Sequence, residues 1–248
     1  MGIGIIPMST NKNSTVTPSK VTWEEKWKFI QKLLKSDPSQ WRYIPSWLLS
    51  FRQNDLINRA IPWLTFSAID YIHRTVKPSD KVFEYGSGGS TLFWLKQGAS
   101  CVSIEHDTRW NEKIRLMTKK NSRLDYRLIT PTLAEHPGVD ISDPDQYLSD
   151  DPPWKGYSFR NYASQIDTFP DDFFDWVLVD GRARPSCIQH GIKKVRLGGR
   201  LILDNSDRPY YLLKTDVLLQ GCSRKIFKGL VPGAVFVSET SIFVRTSK

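Results

Sequence analysis

The segment Glu84-Tyr85-Gly86-Ser87-Gly88-Gly89-Ser90 places a carboxylate two residues before three closely spaced glycines. Glycines in such a turn let the backbone reverse tightly and let a ligand approach the main chain with no Cβ in the way. A helix starting at Ser90 would add unpaired N–H groups that attract negative charge. About 20 residues on, Glu105 closes the run Cys101-Val102-Ser103-Ile104, where a strand-end carboxylate can accept both hydroxyls of a ribose. The turn and the acid together point to a nucleoside ligand. His106 is placed either to touch the ribose or adenine or to serve packing.

Glu84 decides which nucleoside. A pyrophosphate on the turn would meet this carboxylate, a like-charge contact costing on the order of 1 kcal/mol or more at an effective dielectric of about 20. S-adenosylmethionine has no phosphate. It carries an ammonium, a sulfonium and one carboxylate, so Glu84 suits the ammonium and the helix start suits the carboxylate. The expected cofactor-binding set is Glu84, Tyr85, Gly86, Ser87, Gly88, Gly89, Ser90, Glu105 and His106. The plain alternative is that Glu84 and Glu105 are ordinary loop carboxylates.

These residues need a scaffold, and the chain supplies one from residue 80 onward. Strands are expected over 81–85, 101–105, 125–130, 174–180 and 200–204, alternating with helices over 90–97, 108–119 (capped by Asp107), 185–196 and 209–219. Two final strands, 224–228 and 234–245, have no helix between them. Such alternation implies a doubly wound α/β fold, a largely parallel sheet with helices on both faces. Upstream, residues 1–20 read as a flexible tail and 21–65 as an aromatic-rich helical extension; 66–248 form the main domain, opening on a helix over 66–76. Thr22 and Glu25 make a capping box. Trp23, Trp27, Ile30 and Leu34 form a helical stripe that would lie over the main domain or over a second subunit, making a homodimer one expectation.

The segments VFEYGSGGSTLFW, VSIEHD, FDWVLVDGR and LGGRLILDN resemble class I S-adenosylmethionine-dependent methyltransferases. PWLTFSAIDYI and TSIFVR are similar to one branch of that family, and the resemblance spans residues 62–246. It implies a Rossmann-like seven-stranded sheet of order 3-2-1-4-5-7-6 with strand 7 antiparallel. In doubly wound sheets ligands sit at the carboxyl ends of the strands. Asp180 ends the fourth strand, and Asp204-Asn205 end the fifth. Neighbouring strands lie about 4.8 Å apart, so these three oxygens could converge on Mg²⁺ or Ca²⁺.

That arrangement is similar to the metal-dependent catechol-type O-methyltransferases, whose metal acidifies the attacking hydroxyl. The same family places a catalytic Lys three residues after its fourth-strand Asp, where this chain has Ala183. Either the metal alone acidifies the nucleophile, or another group is the base, or there is no metal; Asp180 is the expected catalytic residue. The alternatives for Asp204-Asn205 are a strand-end turn or a helix cap. Arg182 and Arg184, always protonated and poor bases, could clamp an anionic substrate.

Asp151-Pro152-Pro153-Trp154 spells the DPPW motif of adenine-N6 methyltransferases, but no apolar strand precedes it. His190 lies within the helix after Asp180, too far along it for a base. The insertion 131–165 is expected to cover the substrate, with Tyr157, Phe159 and Tyr162 as pocket or core aromatics.

Composition bounds the rest. At 248 residues, 40% hydrophobic and 25% charged, the chain suits one decorated α/β domain. No apolar run reaches membrane-spanning length and no signal peptide is legible. Three scattered cysteines make neither a disulfide framework nor a zinc site, so a cytoplasmic location is expected. The +9 net charge is spread: residues 1–130 hold 20 basic and 11 acidic side chains, 131–180 hold two and 11, and 181–248 hold 13 and four. A nucleic-acid partner is therefore not expected. Methylation of a small-molecule oxygen is the preferred reading. Behind it stand a nucleic-acid or protein methyltransferase, a nucleotide-dependent oxidoreductase and a non-catalytic binding protein.

Overall fold

The computed structural model describes residues 21–52, 55–119, 121–136 and 138–247; the expected tail, 1–20, lies outside them. Seven strands form one sheet: β1 Lys81–Tyr85, β2 Ser100–Glu105, β3 Leu124–Leu128, β4 Phe174–Val179, β5 Val195–Asp204, β6 Cys222–Leu230 and β7 Val237–Arg245. Their order is β3-β2-β1-β4-β5-β7-β6, with β7 antiparallel to both neighbours, as expected. No helix among the described residues is long and apolar enough to cross a membrane.

Side chains alternate across the sheet, so each strand feeds two cores. Phe83, Tyr85, Val177, Val179, Leu201 and Leu203 face one side, against α7 (Arg160–Ala163) and α8 (Arg184–Ile192). Val82, Trp176, Leu178 and Ile202 face the other, against α4 (Phe66–Thr75) and α5 (Gly89–Lys96). Glu84 alternates with Phe83 and Tyr85, so strand geometry sends its side chain to the α5 face. β2 leads into α6 (Thr108–Met117), which Asp107 caps through Trp110 N–H.

Two expected elements differ. The helix over 209–219 is a pair of short 3₁₀ turns, Pro209–Tyr211 and Asp216–Leu219. β5 begins at Val195 rather than 200, because the pairing slips between Phe174 and Trp176 and Gly198 (φ +74°) absorbs the irregularity.

The N-terminal extension forms α1 (Trp23–Ser36), α2 (Ile44–Leu49) and α3 (Asp55–Asn58). The Thr22–Glu25 capping box is present. The aromatic stripe splits: Ile30 is buried and Leu34 half-buried, but Trp23 and Trp27 are 65% and 52% exposed, and the neighbouring Leu33 is buried in their place. Trp47 is fully buried with Phe51, Phe66 and Leu230 in a third core, and its indole N–H donates to Ala234 O at 2.7 Å. The extension is thereby fastened to the start of α4 and the end of β6.

Candidate functional site

The carboxyl edge of the sheet divides into two halves. In the first, β1 ends in the glycine turn. Gly86 (φ +93°) donates its N–H to Ile104 O, and a Cβ on it would lie 3.0 Å from Asp180 O. The turn therefore runs directly against the end of β4, and only glycine fits there. Gly88 faces the Trp110 ring, whose Nε1 donates to Ser87 O at 2.7 Å. Gly89 serves a different purpose from the one expected: a Cβ there would lie 2.0 Å from Ile61 O, so this glycine admits the N-terminal extension.

Glu84 sits beneath the first turn of α5. Its Oε1 accepts from Thr91 Oγ1 and from Ser103 Oγ (2.7 Å). Thr91 Oγ1 also accepts from Gly88 N–H at 3.0 Å, tying the carboxylate to the turn. Glu84 Oε2 is buried and has no hydrogen-bond partner. Burial pushes this carboxyl up to about 7, against the downward pull of Thr91 and Ser103.

Glu105 ends β2 with every neighbour donating. Oε1 accepts from His106 N–H (2.7 Å) and Asp107 N–H (2.9 Å), and Oε2 from Ser87 N–H (3.1 Å) and Ser87 Oγ (2.8 Å). Burial works to raise its pKa, yet His106 and these donors hold it below the ordinary value. His106 Nδ1 lies 2.8 Å from Glu105 Oε1, and its ring packs against Trp154, Phe159 and Tyr162. Packing and proximity to Glu105 thus coincide in one residue. Tyr85 departs from expectation: its ring is buried in the core and its hydroxyl donates to Ala163 O at 2.8 Å, leaving only its main chain to the turn. Ser90 is buried at the start of α5, close enough to Glu84 to pull its pKa down.

The second half is the end of β4 and β5. Asp180 and Asp204 do converge, but a guanidinium lies between them. Arg184 Nη2 donates to Asp180 Oδ1 at 3.0 Å, Nη1 donates to Asp204 O and lies 4.0 Å from Asp204 Oδ2, and Nε donates to Gly181 O at 3.2 Å. Asp204 Oδ1 also accepts from Thr240 Oγ1 at 2.8 Å. Burial and the neighbouring Asp204 push Asp180 well up despite Arg184; burial also raises Asp204, to about 6. Asn205 turns away in a left-handed conformation (φ +52°), and its amide nitrogen donates to Ser238 Oγ.

The three expected metal ligands therefore do not fit Mg²⁺ or Ca²⁺. One side chain points elsewhere, and the other two already hold a fixed cation. No group of three or more His, Cys, Asp or Glu among the described residues could hold a metal ion. Ala183, where a catalytic Lys was the family expectation, has φ +47° and is buried in the core, so that position faces away from the edge.

The insertion crosses this edge, as expected. Residues Thr132–Leu133 and Tyr157–Ser158 pair as a short ladder at its base. Asp151 Oδ2 meets Arg182 Nη2 at 2.7 Å, while Trp154 covers His106. Phe159 and Tyr162 are core residues rather than pocket walls. The DPPW residues lie in a 3₁₀ turn with no strand before them. His190 is engaged by Asp167 (2.6 Å) and Tyr147 (3.2 Å), away from the edge. Sequence reasoning missed Thr91, Ser103, Asp150, Arg208 and Tyr210. Only Thr91 carried a local signal, a hydroxyl in the first turn of α5.

No family model matches the sequence, and no curated protein does. Solved structures do match. An O-methyltransferase from Bacillus cereus in complex with SAH superposes with a TM-score of 0.55 at 14% identity, covering 88% of this chain and 100% of that one. A cofactor-bound protein from MTB gives 0.51 at 13% identity, covering 78% of this chain and 87% of that one. The chain has the class I methyltransferase fold. Within that fold, the glycine turn and Glu105 occupy the β1 and β2 ends, while Asp180 and Asp204 occupy the β4 and β5 ends.

The first half of the edge fits S-adenosylmethionine. An unpaired carboxylate oxygen on Glu84 matches an ammonium, and the start of α5 matches a carboxylate. A ribose hydroxyl on Glu105 Oε2 would take the place of Ser87.

Proposed function

We propose that this protein is a methyltransferase that binds S-adenosylmethionine and methylates an oxygen of a small molecule without a bound divalent metal. The observation that carries the reading is the buried, unpaired Oε2 of Glu84 beneath a glycine turn, with Glu105 at the next strand end. An unpaired buried carboxylate oxygen is costly, and a cationic ligand group relieves that cost where a phosphate would add to it.

When bound, the cofactor supplies a methyl group made electrophilic by its sulfonium. Glu84 and the start of α5 bind its amino-acid end, and Glu105 accepts its ribose. Asp180 adjoins both the glycine turn and the β5 end, so it is the group to take the proton from an acceptor hydroxyl. Arg184 holds Asp180 Oδ1 and leaves the carboxylate oriented.

Titration calorimetry with S-adenosylhomocysteine, NADH and ATP tests the reading. Binding of S-adenosylhomocysteine alone supports it. Preference for NADH would make the protein a nucleotide-dependent oxidoreductase, and binding of none would make it a non-catalytic member of the fold. With tritiated cofactor, label should pass to a small-molecule extract and not to bulk RNA, DNA or protein, and EDTA should leave the transfer unchanged.

A further inference from the structure

Near the β4 and β5 ends lies a cleft of about 460 Å³ lined by Asp150, Asp151, Pro152, Arg182, Arg208 and Tyr210. Arg182 follows β4 and Arg208 follows β5, so the two guanidiniums reach the cleft from different segments. Both meet acids from the insertion. Asp150 Oδ2 accepts from Arg208 Nη1 (2.8 Å), Tyr210 OH (2.7 Å) and Tyr211 OH (3.1 Å). Asp151 Oδ2 takes Arg182 Nη2 at 2.7 Å.

Two features distinguish this from a simple loop anchor. The insertion is already held further back, where Lys214 Nζ meets Asp140 (2.8 Å) and Asp143 (3.3 Å) and Ser186 Oγ donates to Pro144 O at 2.6 Å. The Arg182 fork is also half used, since its Nε is buried without a partner. A planar carboxylate or a phosphate can take Nε and Nη2 together, which a side chain reaching from Asp151 does not. One oxygen ringed by a guanidinium and two phenols is likewise a site for an anionic oxygen.

We propose that this cleft is the subsite for an acidic group of the acceptor, a carboxylate or a phosphate, and that Asp150 and Asp151 hold its arginines until that group displaces them. The assignment of the ligand as the methyl acceptor rests on the methyltransferase reading; the anion site itself does not. Bound there, the acidic group would place the rest of a small molecule toward Asp180. The lid acids would set a threshold, because only an anion that engages both forks competes with two carboxylates tethered in place.

The test uses inorganic phosphate and malonate as probes on the full chain, read by tryptophan fluorescence (Trp154 lies three residues from Asp151) and by calorimetry. The double variant D150N/D151N should bind one or both probes at least tenfold more tightly than the unaltered protein. Adding Arg182→Ala or Arg208→Ala should remove the gain. The stronger probe identifies the acidic group. Affinity within twofold of the unaltered protein, or a gain that survives loss of both arginines, overturns the proposal. Should the double variant not fold, Arg182→Lys alone serves: its single ammonium should weaken probe binding at least threefold, and unchanged binding overturns the proposal. S-adenosylhomocysteine binding measured on the same samples keeps the two readings apart, since its absence strikes the cofactor site and leaves the anion site standing.

Discussion

The two halves of the carboxyl edge each bury a pair of carboxylates, and they neutralise them by opposite means. At the β1 and β2 ends, hydroxyls serve Glu84, and main-chain N–H groups with Ser87 and the neighbouring His106 ring serve Glu105. At the β4 and β5 ends, a single buried guanidinium serves both Asp180 and Asp204. Neutral donors can be exchanged for ligand hydroxyls and ammonium at little electrostatic cost. A guanidinium shared between two acids cannot leave without stranding both. On the proposed reading, the first half can open for a ligand while the second stays fixed.

The largest effect should come from breaking the fixed half. Arg184→Met leaves two buried carboxylates without their cation and should destabilise the fold by about 3–5 kcal/mol, read as a lower urea midpoint. Adding Asp180→Asn and Asp204→Asn should recover most of that loss. A single-variant loss under about 1 kcal/mol would mean that the ion triad behaves as an exposed one.

Next comes Glu84. Between its ordinary value of 4.5 and about 7, the folded protein keeps a proton that the unfolded chain has released. Stability therefore falls as pH rises through that window, by on the order of 3 kcal/mol, and is level above it. Glu84→Gln should gain up to that amount at pH 8, gain nothing at pH 4, and lose at least tenfold in S-adenosylhomocysteine affinity. Thermal melts across pH, with calorimetry, check both arms; a variant no more stable at pH 8 would show that the carboxylate is well solvated.

Glu105 should show the opposite signature. Its pKa is lowered in the folded state, so its stabilisation is present above the unfolded value and fades as pH falls through the folded one. Glu105→Gln should cost about 1–3 kcal/mol at pH 7, with the difference shrinking in acid, and should weaken S-adenosylhomocysteine. An unchanged affinity would remove Glu105 from the cofactor site.

The smallest effect sharpens the idea of exchange. Ser87 occupies Glu105 Oε2 with both its N–H and its hydroxyl. Ser87→Ala frees part of that oxygen and should tighten S-adenosylhomocysteine a few-fold by calorimetry; weaker binding would make Ser87 a ligand contact instead of a competitor.

Much of the first half of the edge was legible because its signals are local. A glycine at φ +93° leaves its mark in the sequence, as does an acid that closes an apolar strand. What fills the place of a Gly89 Cβ was not legible for the opposite reason: Ile61 O belongs to a segment 28 residues earlier. In the second half, Asp180, Asp204 and Asn205 were found at their strand ends, but their partners were not. Asn205 turns to Ser238 and Arg184 turns inward because of backbone angles at Asn205 and Ala183 that residue type alone does not announce.

The sequence by itself determined the alternation of strands and helices, the glycine turn, and which strands end in acids, since each follows from periodicity or local conformational freedom within about ten residues. Tertiary structure alone decided which of those acids would be free. Hydrogen bonds and ion pairs form between groups that the fold brings together from separate strands and loops: Glu84 with Ser103, Asp180 and Asp204 with Arg184, Asp150 with Arg208. Their formation depends on distances of a few ångströms that no spacing along the chain encodes.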